Sequence, residues 1–363
     1  MARRRFPISL TMIVRDEARV LARCLESVKG LVDEIVVVDT GSSDDTVAIA
    51  ESYGATVHHF TWIDDFSAAR NHALAHATHP WRLVLDADEW IVDRDAAKTL
   101  FDELGQSVPT FLGTVDLLES REDGTLNEAA ATSRLARLLP REASWRGRVH
   151  EQPHPELNAL RLGLRIGHDG YLAANKERKE GRNTALLVAS IEEDPQNPYL
   201  WFQLGNEFYA RDRPDDALPH LVQAYNLLHP SEGPAPEQRP WAHGLTLRLV
   251  LTLTRLGRHE EASGLCDIEA DAWPDSPDFH YVRGCAVRAL AHSLGASDVQ
   301  RAERLAVQSL EHWVKATGLQ DRQEYAGVLT QRATVLAARK AAADFELLGD
   351  AEQAARFRAL AAA

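Results

Sequence analysis

Residues 83–90 read LVLDADEW, an apolar stretch that closes on three carboxylates, Asp86, Asp88 and Glu89. Read as the end of an extended strand, Asp86 and Asp88 point to one face. Two like charges side by side repel, so a cation from a side chain or a metal is expected next to them. The strand, WRLVLDAD over 81–88, is the fourth of a series after ISLTMIV (8–14), EIVVVD (34–39) and ATVHHF (55–60). Helical patterns separate them. EARVLARCLESVKGL (17–31) carries Val20, Leu21, Cys24, Leu25 and Val28 at helical spacing. GSSDDTVAIAESYG (41–54) offers Ser43 or Asp44 as N-cap and Gly54 as a stop. DFSAARNHALAHAT (65–78) ends ahead of Pro80. Strands joined through single helices require crossover connections, hence an α/β domain with a mostly parallel sheet covered on both faces.

At 363 residues the chain is long enough for two domains with their own cores. The formal balance of 40 basic against 54 acidic side chains, −14, argues against nucleic acid as a partner. Cys24, Cys266 and Cys285 lack metal-site spacing and disulfide arithmetic, which fits a cytoplasmic location. The opening MARRRFPISLTMIV has a basic tip. Its apolar run is broken by Ser9 and Thr11 and meets charge at Arg15 with no small-residue cleavage site, so no secretory signal is expected. No apolar run approaches the ~20 residues of a membrane span.

Between 109 and 171 the pattern weakens. FLGTVDLLES and TSRLARLLP read as strands around the turn REDG, and WRGRVHEQ and LRLGLRIGHDGY as further strands or loops. From about 181 the chain is helical and repeats. Residues 198–230 follow the tetratricopeptide pattern, with Trp201, Leu204, Gly205 and Phe208 in a first helix and Ala217, Leu221 and Ala224 in a second. A second unit falls near 242–274, a third runs from Pro277 to Trp313, and the Ala-rich tail over 321–363 caps the array. The expected domains are therefore 1–180, α/β, and 181–363, all-α repeats.

In open parallel sheets ligands bind beyond the carboxyl ends of the strands. Those ends are Val14 with Arg15-Asp16-Glu17, then Asp39, then Asp86-Ala87-Asp88. Paired carboxylates suit Mg²⁺ or Mn²⁺, which take the rest of their shell from water and a substrate's phosphates. Neither G-x-G-x-x-G nor a P-loop is present, so a diphosphate would need the metal and a cation such as Arg70. A sugar nucleotidyltransferase would need a Gly-rich basic loop after the first strand, and VRDEARV is not one.

The ordered set ISLTMIVRDEARVLARCLESV, DEIVVVDTGSSDDT, ARNHAL and LVLDADE resembles the inverting family-two glycosyltransferases of GT-A fold over roughly residues 8–180. With the repeats, the chain is similar to their tetratricopeptide-bearing branch, which includes sublancin-type peptide S-glycosyltransferases. Its catalytic half is also similar to lipopolysaccharide-core glucosyltransferases. The resemblance implies a nucleotide-sugar donor, a UDP-sugar as the expected one, and a hexosyl transfer. It implies a D-x-D metal motif at Asp86-Ala87-Asp88. It sets Val14, Arg15, Glu17 and Asp39 at the nucleoside and Arg70 near the diphosphate. The His-Glu pair in GRVHEQ makes Glu151, with His150 as the other candidate, the general base, and His168 a metal ligand or diphosphate contact. The Q-x-x-R-W motif of processive synthases is absent, since EQRPW (237–241) does not match it. His58, His59, His72 and His76 read as structural. The acceptor expected is a peptide or protein held by the repeats. The alternatives are a small glycan with the repeats serving a homodimer, and a repeat scaffold with a non-catalytic nucleotide-binding domain.

Overall fold

The protein is described by a computed structural model covering residues 6–104, 109–121, 125–127, 133–169, 181–229, 240–319, 329 and 332–362. The chain divides into two compact units, with the boundary between Ser190 and Ile191. In the first unit the strands are β1 (Ile8–Val14), β2 (Glu34–Asp39), β3 (Thr56–His59), β4 (Trp81–Val84), β5 (Glu89–Ile91), β6 (Leu112–Glu119), β7 (Ser133–Pro140), β8 (Ser144–Arg146), β9 (Gln152–His154) and β10 (Ala159–His168). The helices α1 (Leu21–Val28), α2 (Thr46–Ser52), α3 (Phe66–His76) and α4 (Arg94–Leu104) connect them, and α5 (Arg182–Glu193) follows.

The eight-stranded sheet has the order β3-β2-β1-β4-β7-β6-β10-β5, and β8 and β9 form a separate hairpin. β3, β2, β1 and β4 are parallel. β7 runs against both β4 and β6, β10 is parallel to β6, and β5 is antiparallel to β10. The link from β4 to β5, residues 85–88, forces the sheet to curl. Five extended Cα steps cover at most about 18 Å, and this link is turned, with the Glu89 N–H donating to the Asp86 carbonyl. Four flat strand spacings would need roughly 19 Å. Curling brings β5 back beside the end of β4. The carboxyl ends of β1, β2, β4, β6 and β10 then share one edge with the start of β5.

The expected helices are shorter at their ends than the sequence patterns. α1 begins at Leu21, preceded by a turn in which Val20 and Leu21 donate to the Glu17 carbonyl. α2 begins at Thr46, and Asp44 Oδ1 accepts from the Thr46 N–H. The strand expected over 81–88 stops at Val84, so Asp86 and Asp88 stand in a turn and not on one strand face. On one face of the sheet Leu10, Met12, Leu83, Leu117, Leu138 and Ile166 pack with Leu21, Leu25 and Phe101 in one continuous buried cluster. On the other, Leu74 of α3 meets Val84, Leu139 and Trp145.

The second unit is helical. The hairpins are α6 (Pro198–Ala210) with α7 (Pro214–Leu228), α8 (Pro240–Arg255) with α9 (His259–Ile268), α10 (Pro277–Leu294) with α11 (Val299–Gly318), and α12 (Ala333–Leu347) with α13 (Ala351–Ala362). Gly205 allows close helix packing: a Cβ there would sit 2.6 Å from Leu221 of α7. Buried Glu269 joins neighbouring repeats by accepting from Tyr225 Oη at 2.6 Å, Trp273 Nε1 at 3.0 Å and Thr246 Oγ1 at 3.3 Å. Among the described residues no helix is long and apolar enough to cross a membrane. The REDG turn and the segment EQRPW fall partly outside the described residues.

One position links fold and site. Gly167 of β10 pairs with Trp90 of β5, and a Cβ there would overlap the Trp90 indole. Gly167→Ala is expected to lower stability by about 1–3 kcal/mol through overpacking, read as a lower urea midpoint with an unchanged denaturant slope.

Candidate active site

The cation expected beside Asp86 is two buried arginines. Arg70, in the second turn of α3, donates through Nη2 to Asp86 Oδ1 at 2.8 Å. Arg137 of β7 donates through Nη2 to Asp86 Oδ2 at 3.0 Å and to Glu89 Oε1 at 2.5 Å. Arg70 Nε also donates to Glu151 Oε1. The five side chains form a line, Glu151–Arg70–Asp86–Arg137–Glu89. Asp86 thus accepts from an arginine at each of its two oxygens. Arg70, expected at a diphosphate, is likewise engaged by two carboxylates and is 8% exposed. Burial acts to raise the Asp86 pKa, but Arg70 and Arg137 outweigh it and hold the carboxyl well below the usual carboxylate range. For Glu89, burial and the neighbouring Asp86 charge win over Arg137, and its pKa is raised.

Glu151 reaches Arg70 because the chain after β8 turns tightly. Gly147 has φ 102° and His150 φ 52°, both left-handed, and the Phe66 N–H at the start of α3 donates to the Arg148 carbonyl at 2.8 Å. α3 is fixed at its own start by Asp65, whose Oδ1 accepts from the Ala68 N–H at 2.9 Å. Asn71 then bonds both the N–H and the carbonyl of Trp145.

Asp88 faces another partner. Its Oδ2 lies 3.6 Å from His168 Nε2 at the end of β10, and the Asp169 N–H donates to the Asp88 carbonyl at 3.1 Å. Ala87 between the two aspartates is 4% exposed. Asp169 is held in turn by Arg23, which lies over the Trp90 ring at 3.7 Å, and by Ser120 Oγ at 2.5 Å. Among the described residues no group of three His, Cys, Asp or Glu side chains is arranged to hold a metal ion. Among the described residues, the Asp88 carboxylate and the His168 imidazole stand together at this edge as candidate ligands. That set fits a hard divalent cation only if water and phosphate complete the shell.

The ends of β1 and β2 make the second part of the site. Val14 pairs with Asp39 in register. Asp39 is 4% exposed and accepts from the N–H groups of Gly41 and Ser42, both at 3.1 Å, with His59 Nδ1 at 3.5 Å. The loop after β1 is tied to the loop after β2. Asp16, at φ 54°, accepts from the Ser43 N–H at 2.8 Å, and the Glu17 N–H donates to Thr46 Oγ1 at 2.7 Å. Arg15 is exposed, 3.9 Å from Asp16. The structure thus brings Val14, Arg15, Glu17, Asp39, Arg70, Asp86, Ala87, Asp88, Glu151 and His168 to one sheet edge or its flank. His150 is next to Glu151 in the tight turn. His58, His72 and His76 pack on one another, with His58 and His76 stacked at 3.6 Å, so they act as packing groups. The sequence reading missed Arg137 and Arg23, which arrive from distant segments.

Residues 9–112 match the family model described as glycosyl transferase family 2. The match lies within the first unit, and tetratricopeptide-like repeats follow it. A TPR repeat-containing protein of Synechococcus elongatus is 40% identical over 216 residues, covering 54% of this chain and 51% of that protein. The SPbeta prophage-derived glycosyltransferase SunS of Bacillus subtilis is 28% identical over 286 residues, covering 76% of this chain and 65% of that protein. The chain thus spans about half to two thirds of the length of these relatives. Among solved structures, glucosyl-3-phosphoglycerate synthase from Mycobacterium tuberculosis, in complex with Mn²⁺, uridine diphosphate and glucosyl-3-phosphoglycerate, is 22% identical over 32% of this chain and 45% of that one, with a TM-score of 0.27.

Two stability predictions follow from the arginine clamp. Arg137→Met leaves Glu89 buried without its partner and should cost about 3–5 kcal/mol, much of it recovered in Arg137→Met/Glu89→Leu. Chemical denaturation of the single and double variants reads this directly. The folded Asp86 carboxyl titrates below its unfolded value of about 3.9, so its stabilisation is present above that pH and is lost as pH falls through the folded value. The stability gap between wild type and Asp86→Asn should be widest above about pH 4 and shrink in stronger acid.

Proposed function

We propose that the protein is a metal-dependent, inverting glycosyltransferase that moves a hexosyl group from a nucleoside-diphosphate sugar, a UDP-sugar first among candidates, to a peptide or protein. The observation that carries this reading is the Asp88–His168 pair at the carboxyl edge of the sheet, beside Asp39, in a domain of glycosyl transferase family 2. Asp88 and His168 would hold a Mn²⁺ or Mg²⁺ ion, with the donor's diphosphate as further ligand. When bound, the cation neutralises charge that develops on the departing diphosphate.

The chain's own residues do the rest. Asp39 shapes the β2 loop and presents a buried carboxylate at the nucleoside, with Val14, Arg15 and Glu17 lining the neighbouring loop. Arg70 and Arg137 fix Asp86 and so fix the turn that carries Asp88. Glu151 is the base: Arg70 binds its Oε1, which orients the carboxylate and leaves Oε2 to take the acceptor's proton on the face opposite the leaving group. His150 sets the turn through its left-handed backbone. The repeats support a peptide acceptor, because stacked helical hairpins build extended binding surfaces that a small sugar acceptor would not need.

Release of nucleoside diphosphate from UDP-glucose or another nucleotide sugar tests the reading. Asp88→Asn should keep the wild-type melting temperature and lose at least about 100-fold in turnover. Turnover at the full rate after chelation would defeat the metal role. Glu151→Gln should depress transfer with donor affinity near wild type, and Asp39→Ala should weaken nucleoside-diphosphate affinity. An unchanged calorimetric affinity in Asp39→Ala removes that assignment.

A further inference from the structure

Glu119 closes β6, on the same edge as Asp88 and His168, and no motif points to it. Across three strands the register runs Glu89, His168, Glu119. Registered neighbours share a sheet face and stand about 4.8 Å apart. Glu119 is therefore one strand from His168, within side-chain reach of a group held by His168 and Asp88.

The other carboxylates at this edge have partners. Asp39 accepts from backbone N–H groups, Asp86, Glu89 and Glu151 from arginines, and Asp169 from Arg23 and Ser120. Among the described residues no donor meets the Glu119 carboxylate, although the side chain is half-buried and burial raises its pKa to about 7. Its backbone is held firmly. The Ser120 N–H donates to the His168 carbonyl at 2.9 Å, and the Asn127 N–H to the Glu119 carbonyl at 2.8 Å. A rigid, half-buried acceptor without a donor is unfavourable in the free protein and is satisfied when a ligand brings one.

We propose that Glu119 accepts hydrogen bonds from hydroxyl groups of the transferred sugar and sets which sugar the site takes. This rests on the donor reading above. A sugar ring attached to a diphosphate at Asp88 and His168 spans roughly one strand spacing, and its neighbouring hydroxyls suit the two oxygens of a carboxylate.

The experiment compares full-length wild type, Glu119→Ala and Glu119→Gln by calorimetry with Mn²⁺. The ligands are uridine diphosphate and a panel of UDP-glucose, UDP-galactose and UDP-N-acetylglucosamine. Glu119→Ala should lose about tenfold or more in affinity for the preferred UDP-hexose, keep its affinity for uridine diphosphate, and bind the panel with less discrimination. Glu119→Gln should fall between, and both variants should melt at or above the wild-type temperature, because an unpaired carboxylate has been removed. Unchanged discrimination overturns the assignment and leaves the donor reading intact. Weakened uridine diphosphate binding, or a changed Mn²⁺ requirement, makes Glu119 a metal-side group and also overturns it. Wild type that binds neither these ligands nor other nucleoside diphosphates defeats the donor reading and the assignment together.

Discussion

The site depends on the clamp that Arg70 and Arg137 place on Asp86. Three carboxylates and two guanidiniums, Glu151–Arg70–Asp86–Arg137–Glu89, leave one formal negative charge in a largely buried line. The line crosses the molecule's local connectivity. It joins α3, the β4–β5 link, β7 and the turn after β8. Removing one member of a buried charge set strands its partner, which is a heavier loss than the pair's net contribution. The clamp therefore fixes the turn at residues 85–88 together with its backbone bonds. That turn is what curls the sheet and aims Asp88 at His168.

The clamp also explains why two aspartates two residues apart behave so differently. On an uninterrupted strand they would share one environment. The strand stops at Val84 because the side chain of Glu89 accepts from the Asp86 N–H at 3.1 Å while the Asp86 carbonyl accepts from the Glu89 N–H at 3.0 Å. Local side-chain bonding of this kind competes with strand pairing. Asp86 is turned into the arginines and Asp88 toward His168.

The strand and helix pattern of the first hundred residues was legible because burial on both faces writes continuous apolar runs, and because acidic residues gather at strand ends. The repeats were legible through Gly205 and the small residues Ala217 and Ala224, which close helix packing requires. What stayed hidden is non-local. Arg137 lies 51 residues from Asp86 on a strand that runs the other way, and SRLARLLP reads equally well with either face inward. The early end of β4 depends on a side-chain bond that no propensity encodes. Glu119 reads as the polar end of a strand until the register sets it beside His168.

Partnership, more than burial or residue type, sorts the carboxylates of this protein. Glu269 in the repeats is 5% exposed and accepts from Tyr225, Trp273 and Thr246, so its hydrogen-bonding capacity is met within the helices and it serves cohesion. Asp86 and Glu89 are met by arginines and serve geometry. Glu119 shares their setting at the sheet edge but meets no donor among the described residues, and its backbone is held by bonds to Asn127 and, through Ser120, to His168. Among the described residues, the named carboxylates at this edge have donors and Glu119 does not, which concentrates a demand for hydrogen bonds at Glu119. Any hydroxyl-bearing group delivered to that point gains what the free protein lacks, which is the physical basis of selectivity at an otherwise closed edge.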